Sequence, residues 1–251
     1  IIDAFYALVT ESAPAGLGSA SGQRVNGILF DSATAAQRNT WVTDNADRVL
    51  FGKLKSNYSA TFASATVNLD TTDDKCNRAA MRLLKRIARA ANPKLRPYKL
   101  TDGREYFVAF HGSRTFRDLK TDLETINKDA RPRENGGFNK QPIFQDGDLM
   151  DDGVIHREIP EIDTRAPTFY ATAGASSAAV RPVWLCGQSA MVMAYGQMAK
   201  PTQLDNTDYQ FNQGVGIETA YGVGKMFKKT TGGLLKEWGI ATAFFAAAAD
   251  S

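Results

Sequence analysis

One segment with an uneven charge distribution most constrains how this chain can fold: DDKCNRAAMRLLKRIARAANPKLRP, residues 73–97. Eight of its 25 residues are Lys or Arg, and two are Asp. Placed at helical spacing, its residues separate into an apolar arc and a basic arc, which predicts an amphipathic helix over 72–91. Thr71 with Asp74 forms an approximate capping box at the start, and Asn92-Pro93 provides a stop.

The two arcs of this helix predict different contacts. The apolar arc contains Cys76, Ala79, Ala80, Leu83, Leu84, Ile87 and Ala91. The basic stripe contains Lys75, Arg78, Arg82, Lys85, Arg86 and Arg89. A stripe of this kind is either a solvated face or a surface that meets acidic protein or nucleic acid. These six residues are therefore the candidate assembly or DNA-facing site.

The whole chain has the composition of a globular protein. Its 251 residues can bury a sizeable core, and its net charge is only +3, so the basic stripe is a local feature. Cys76 and Cys186 lie in apolar settings without a CxxC motif, which predicts buried free thiols and a reducing compartment. The most apolar run, GIATAFFAAAA, is too short to cross a bilayer. Ile1 is not a natural start, so we expect an N-terminal segment to precede it.

Hydrophobic periodicity predicts an α+β fold without regular βαβ alternation. A short helix is predicted over 1–12, and an extended, weakly packed region with short strands is predicted over about 26–70. Further along we predict strands in REYFVAFHGS, VIHREIPEI and VWLCG, a helix begun by Ser113 with Phe116, Leu119, Leu123 and Ile126 on one face, and a helix in QSAMVMAYGQMA. GVGIETAYGVGKMF and EWGIATAFFAAAA are predicted strands, joined across a turn at Gly232-Gly233. An irregular loop of over 20 residues ends in DGDLMDDG.

Three motifs could carry chemistry, but each lacks a residue, an order or a spacing that the chemistry requires. CGQSAM resembles a nucleophile elbow, but Met191 stands where Gly is needed, and both histidines precede Ser189. The four Asp of DGDLMDDG fit no EF-hand register and favour a turn. The glycines of GVGIETAYGVGK match neither GxGxxG nor the P-loop. We therefore predict no catalytic, cofactor or metal site and no enzymatic activity.

Several phrases together resemble one known family. They are LLKRIARAANPKLRPYK, DGREYFVAF, FRDLKTDL, ARPREN, KQPIFQDGDLMDDGVIHREIPEI, VWLCGQSAM, DYQFNQGVGIE and GIATAFFAAA. Their order is similar to that in major capsid proteins of tailed phages, in the branch related to coliphage N-four. The resemblance covers roughly residues 47–248, and PIFQDGDL and REYFVAF are its most specific parts.

The resemblance implies the Hong Kong 97-type capsid fold, with a peripheral domain, an axial domain and an extended loop. By position, residues 1–70 would form the N-terminal and extended-loop region. Residues 71–113 would form the peripheral domain with its long spine helix, 114–225 mainly the axial domain, and 226–251 the return to the peripheral sheet. The match fades before Asp47.

The resemblance also implies a structural role. The chain would self-assemble into hexamers and pentamers of an icosahedral head around double-stranded DNA, bound non-specifically. Neighbouring capsomers, scaffolding, portal and decoration proteins would be partners, with no cofactor and no membrane. It would be found in the virion, and in the host cytoplasm during assembly. A candidate inter-subunit loop contains Arg131, Arg133, Phe138, Phe144, Asp146 and Asp148.

Two alternatives stay open at this point. The basic stripe could pair with an acidic loop such as 146–152 on a neighbouring subunit, or it could face packaged DNA. The chain could instead be a non-enzymatic nucleic-acid-binding protein that uses the basic helix 75–89, although it carries no recognisable DNA-binding motif.

Overall fold

A computed structural model describes residues 1–9, 27–99, 103–129, 149–203 and 214–249. The helices are α1 Ile2–Tyr6, α2 Ala35–Asp44, α3 Phe62–Thr66, α4 Arg78–Ala90, α5 Ser113–Asp129 and α6 Glu161–Thr164. The strands are β1 Ala7–Val9, β2 Gly27–Leu29, β3 Val49–Phe51, β4 Tyr98–Lys99, β5 Glu105–His111, β6 Leu149–Asp151, β7 Val154–Glu158, β8 Val180–Cys186, β9 Met191–Gln203, β10 Val215–Lys225, β11 Phe227–Lys229, β12 Leu235–Glu237 and β13 Ile240–Ala246. Helices and strands are mixed without βαβ alternation, which confirms the predicted α+β class.

A seven-stranded sheet forms the centre of the molecule. Its strands run in the order β3-β13-β8-β5-β7-β6, and β4 pairs with β5 outside that path. The β13–β3 and β5–β7 pairs are parallel, whereas β13–β8, β5–β8 and β6–β7 are antiparallel. Every residue of β8 and β13 is buried. The sheet must therefore be covered on both faces, as strands with continuous apolar runs require.

Two hydrophobic cores cover the two faces. On one side, Phe30, Trp41 and Phe62 from the α2–α3 region pack with Phe244 of β13. On the other side, α4 and α5 contribute Leu84, Ile87, Phe116 and Leu119, which lie with Phe245. The neighbours Phe244 and Phe245 belong to opposite cores because successive strand side chains point to opposite faces.

The prediction of an extended, weakly packed region with short strands over 26–70 is confirmed for the short strands β2 and β3, but it is wrong about the packing. This region contains α2, α3 and the sheet strand β3, and it provides much of the aromatic core. The local sequence is rich in Ser, Thr and Ala, so its composition does not indicate that its few aromatic side chains form a core. Phe51 stacks on Phe244 with ring centroids 5.2 Å apart. That partner lies almost two hundred residues further along the chain, so local composition could not reveal the packing.

The predicted helix in QSAMVMAYGQMA is also wrong. Residues 191–203 form β9, which pairs antiparallel with β10 in a separate two-stranded sheet, called here the ribbon. Met, Ala and Gln favour helix locally, but pairing with a distant strand overrides that preference. Along β9 every residue after Met191 is exposed.

The predicted helix over 1–12 is wrong beyond Tyr6, because Ala7–Val9 form β1, and residues 10–12 lie outside the described residues. The remaining element predictions are largely confirmed. β5, β7, β8, β10 and β13 occupy the predicted strands, and α5 buries Phe116, Leu119 and Leu123 as expected. The β11–β12 hairpin turns at Gly233, whose φ is 82°. The end of DGDLMDDG is a tight hairpin turn between β6 and β7, with positive φ at Asp152 and Gly153, as a two-residue turn of the primed type requires. No helix in the described part of the chain is long and apolar enough to span a membrane.

Candidate functional site

The candidate site is built on α4, which begins later than predicted. Its N-terminal cap is Asn77, whose side-chain oxygen accepts a hydrogen bond from the Ala80 amide at 2.8 Å. The predicted capping box of Thr71 and Asp74 is therefore wrong. The Asp74 carboxylate instead accepts a hydrogen bond from the Lys53 amide at 3.1 Å, and Asp74 is buried. The predicted stop at Asn92-Pro93 agrees with the end of the helix at Ala90.

The buried face of α4 is the predicted apolar arc, slightly rotated. Ala80, Leu84 and Ile87 are buried as expected, and Leu84 is 0% exposed. Met81 and Ala88 are buried as well, whereas Ala79 is exposed and Leu83 is only half-buried. The helix packs on β13 and β8 through this face.

Part of the basic stripe forms ion pairs within its own chain. The Arg78 guanidinium donates two hydrogen bonds to the Asp151 carboxylate, both at 2.8 Å. This pairing raises the pKa of Arg78. The Lys85 ammonium donates to the Asp152 carbonyl and lies 3.4 Å from the same residue's carboxylate. The turn between β6 and β7 therefore neutralises the end of the stripe that faces it.

The remaining residues of the stripe face outward. Lys75, Arg82, Arg86 and Arg89 are exposed. Arg89 lies 3.8 Å from Glu105, a long and exposed contact that contributes little. Among the residues that the structure describes, no carboxylate lies within ion-pair distance of Lys75, Arg82 or Arg86. The stripe thus divides into a part that pairs with the β6–β7 turn of the same chain and a part that is exposed.

The candidate inter-subunit loop is not tested by the structure. Arg131, Arg133, Phe138, Phe144, Asp146 and Asp148 all lie outside the described residues. The first three residues of DGDLMDDG, 146–148, also lie outside the described residues. Only its last residues are described, and there Asp151 and Asp152 contact α4 of the same chain.

Both histidines lie together in the core, an arrangement the sequence did not indicate because they are 45 residues apart. His111 Nε2 and His156 Nδ1 are 2.9 Å apart, and Cys76 Sγ lies 4.0 Å from His111 Nδ1. Burial lowers the pKa of His111 well below its usual value and that of His156 to about 4. Burial also raises the pKa of the Cys76 thiol. At neutral pH these groups are therefore uncharged core residues.

Metal-binding groups and the motif around Ser189 can both be assessed within the described residues. Within them, no group of three or more His, Cys, Asp and Glu side chains is arranged to hold a metal ion. Ser189, predicted to start a helix, lies instead in the turn between β8 and β9 with φ of 60°. No helix follows it, so the strand–turn–helix geometry of a nucleophile elbow is absent there.

The ribbon is a second surface that the sequence reasoning missed. Its strand β10 reads VGIETAYGVGK, in which bulky residues alternate with Gly, Glu and Ala. This period of two predicts a strand with two chemically different faces, and it is the signal that could have identified the surface.

Comparisons with known proteins place the chain in a family. Residues 19–248 match the phage capsid protein family. The structure is similar to the cyanophage Pam1 capsid, with 39% identity, a TM-score of 0.77, and coverage of 99% of this chain and 64% of that one. It also shares its fold with the capsid of Ralstonia phage GP4, with 16% identity, a TM-score of 0.55, and coverage of 96% and 59%.

These comparisons have clear bounds. The chain spans somewhat less than two thirds of the length of the two capsid chains. Among curated proteins none matches it. The branch related to coliphage N-four stays a prediction, as do the domain boundaries. The Hong Kong 97-like α+β fold expected from the resemblance is confirmed, and the chain belongs to the phage capsid protein family.

Proposed function

We propose that this chain is the main shell subunit of a tailed-phage head. Copies assemble into hexamers and pentamers, which close into an icosahedral shell around double-stranded DNA. The supporting observation is the family match over residues 19–248, together with 39% identity to the cyanophage Pam1 capsid across 99% of the chain. The role requires no catalysis and no cofactor, and it locates the protein in the virion.

The architecture suits a building block. The central sheet is held between two cores, which makes a stiff body whose outer surfaces can meet several neighbours at fixed angles. Complementary surfaces in such an assembly set the register between copies more reliably than they add affinity. Scaffolding, portal and decoration proteins are further proposed partners, on the basis of the sequence resemblance alone.

The outward part of the basic stripe supports a contact with packaged DNA. Arg82 and Arg86 are exposed and, within the described residues, have no carboxylate partner. Guanidinium groups in this setting bind phosphates without reading base sequence. A shell needs this kind of contact because it must accept any sequence of the genome.

The test is to express the complete phage protein, alone and with the other head proteins of its phage, and to examine the product by electron microscopy and light scattering. We expect closed shells or ring-shaped capsomers. If every condition yields only a stable monomer or dimer, the proposed function is wrong. Small discrete particles whose size by light scattering increases when DNA is added would instead support the alternative of a nucleic-acid-binding protein.

A further inference from the structure

We propose that acid releases the β6–β7 hairpin from the central sheet. At neutral pH the contact between His111 and His156 helps to hold this hairpin against β5, and its loss uncovers Arg78 and Lys85 of the basic stripe. The release itself depends on the fold alone, whereas its effect on DNA rests on the proposed function of the stripe.

The β6–β7 hairpin forms one edge of the central sheet. β7 pairs with β5 on one side and with the three-residue strand β6 on the other, and β6 is the last strand of the described order. β5 also pairs with β8 and β4. The hairpin can therefore leave while β5 keeps its other partners, which makes it a unit of local opening.

One imidazole from each side of the β5–β7 junction forms the contact. His111 Nε2 on β5 and His156 Nδ1 on β7 are 2.9 Å apart, and both residues are at most 1% exposed. Between two neutral imidazoles one nitrogen donates and the other accepts. Protonation of the accepting nitrogen makes two N–H groups face each other, and protonation of any other ring nitrogen leaves a charge in the core. Either event opposes the closed hairpin.

No carboxylate in the described part of the chain accepts a hydrogen bond from either imidazole. The titratable groups around the pair and around the thiol beside it are Cys76 before α4, Asp118 and Asp122 on α5, Asp151 on β6, and the half-buried Glu158, which pairs with His111 in the ladder. The Asp151 carboxylate is already bound by Arg78. It favours protonated His156, but burial opposes protonation more strongly and lowers the pKa of His156 to about 4.

The direction of the effect follows from where protons bind. Burial lowers the pKa of His111 and of His156, so the released hairpin takes up protons as the pH falls below about 6.5, before the closed form does. The contribution of the pair is therefore fully present above pH 6.5 and is lost progressively towards pH 4. Both histidines of the chain belong to this pair, so histidine protonation acts at no other place.

The same hairpin carries the two aspartates that cover part of the basic stripe. Asp151 accepts two hydrogen bonds of 2.8 Å from the Arg78 guanidinium, and Asp152 contacts Lys85. Asp151 is the last residue of β6, and Asp152 lies in the turn that follows. Departure of the hairpin removes both carboxylates from α4. In acid the stripe thus gains two uncovered cations.

The first test measures amide hydrogen exchange by mass spectrometry in dissociated subunits of the complete protein. After correction for the intrinsic pH dependence of exchange, the opening of segment 149–158 should increase at least about 20-fold from pH 7 to pH 5. At pH 5 it should open at least about tenfold more often than segment 240–246 in β13. Low urea should accelerate exchange in 240–246 and have little effect on 149–158, because local opening exposes little surface.

His156→Gln is the matched variant, because Gln can form a hydrogen bond but does not take up a proton in this range. We expect it to reduce the ratio of opening between pH 5 and pH 7 by at least about fivefold. An unchanged ratio overturns the proposal, because another group is then the sensor. Should this variant not fold, His111→Gln gives the same comparison. In the wild-type protein, equal exchange of both segments at pH 5 with equal urea dependence also overturns it, because acid then unfolds the whole subunit.

The second test measures the binding of a short double-stranded DNA to subunits at pH 7 and pH 5 over a range of salt concentrations. Two added phosphate contacts should make the slope of log affinity against log salt more negative by up to about 1.8 at pH 5. Arg78→Gln with Lys85→Gln should show the same slope at both pH values. An equal slope for wild type, despite release seen by exchange, overturns the uncovering of the stripe. If DNA binds at neither pH, the proposed DNA contact fails, while hydrogen exchange still decides the release.

Discussion

The strands β13 and β10 differ in how their sequences use apolar residues. In β13, IATAFFA is apolar at almost every position, and all seven residues are buried. In β10, bulky and small residues alternate, and most of the strand is exposed. A continuous apolar run requires cover on both faces, which the two cores provide. An alternating run requires cover on one face only, and within the described residues that cover is absent.

A buried ion pair joins the end of β10 to β12. Lys225 at the end of β10 lies 2.5 Å from Glu237, and both side chains are almost fully buried. The Trp41 indole donates a hydrogen bond to the same carboxylate at 3.0 Å. The base of the ribbon is thus fixed to the aromatic core, whereas the rest of the ribbon extends from the body.

The largest expected effect comes from charging the interior beside the sheet. Leu84→Asp buries a carboxylate without a partner under α4, and we expect a loss of several kcal/mol in unfolding free energy. The protein should be insoluble or unfolded when expressed. Soluble expression with an unchanged melting temperature would show that α4 does not hold the sheet together.

A matched pair of truncations compares the core strand with the ribbon directly. Phe244→Ala removes a ring that packs against Phe51, Trp41 and Phe62, so it should cost about 3–5 kcal/mol of subunit stability. Ile217→Ala on the ribbon should change subunit stability by less than about 0.5 kcal/mol. Urea melts of dissociated subunits measure both. A large loss for Ile217→Ala would mean that its side chain is already buried within one chain.

The lowered pKa values of His111 and His156 predict that the free energy of unfolding falls in acid. The folded pKa values of His111 and His156 lie below the unfolded value, so the unfolded chain binds more protons as the pH falls below about 6.5. Each histidine then lowers stability by about 1.4 kcal/mol per pH unit until its folded pKa is reached. For His156 this window ends at about pH 4.

Urea melts between pH 7 and pH 5 test this prediction. His156→Gln should reduce the slope of stability with pH to about half, because His111 remains, whereas Ile217→Ala should retain the full slope because both histidines of the chain lie in the sheet. If the unfolding free energy of the wild-type protein is constant over this range, protonation of His111 and His156 does not destabilise the protein.

The smallest effect on stability is expected at the outward part of the basic stripe. Arg82→Gln with Arg86→Gln should change the subunit's unfolding free energy by less than about 0.5 kcal/mol, because both side chains are exposed. Particles of this variant should release DNA at lower salt than wild type. Lys55→Gln with Lys94→Gln removes the same charge from other exposed positions and serves as the control. If wild type and both double variants retain DNA equally at every salt concentration, the outward part of the stripe is a solvated face that does not bind DNA.

The sequence by itself determined the features that depend on near neighbours. The aromatic run in REYFVAFH predicted β5, the spacing of Phe116, Leu119 and Leu123 predicted α5, and Asn92-Pro93 predicted the end of α4. The order of the family phrases along the chain indicated a phage capsid protein without knowledge of the fold. The separation of basic from apolar residues on α4 was also readable, because helical spacing alone fixes which side chains share a face.

Only the tertiary structure decided the features that depend on distant partners. Met191–Gln203 is a strand because β10 pairs with it, although its residues favour helix. Phe30, Trp41 and Phe62 form a core because β13 returns to them from the end of the chain. Arg78 and Lys85 are neutralised because the β6–β7 turn brings Asp151 and Asp152 beside α4. In each case the deciding contact joins residues far apart in sequence, and its free energy exceeds the local preference that a sequence pattern reports.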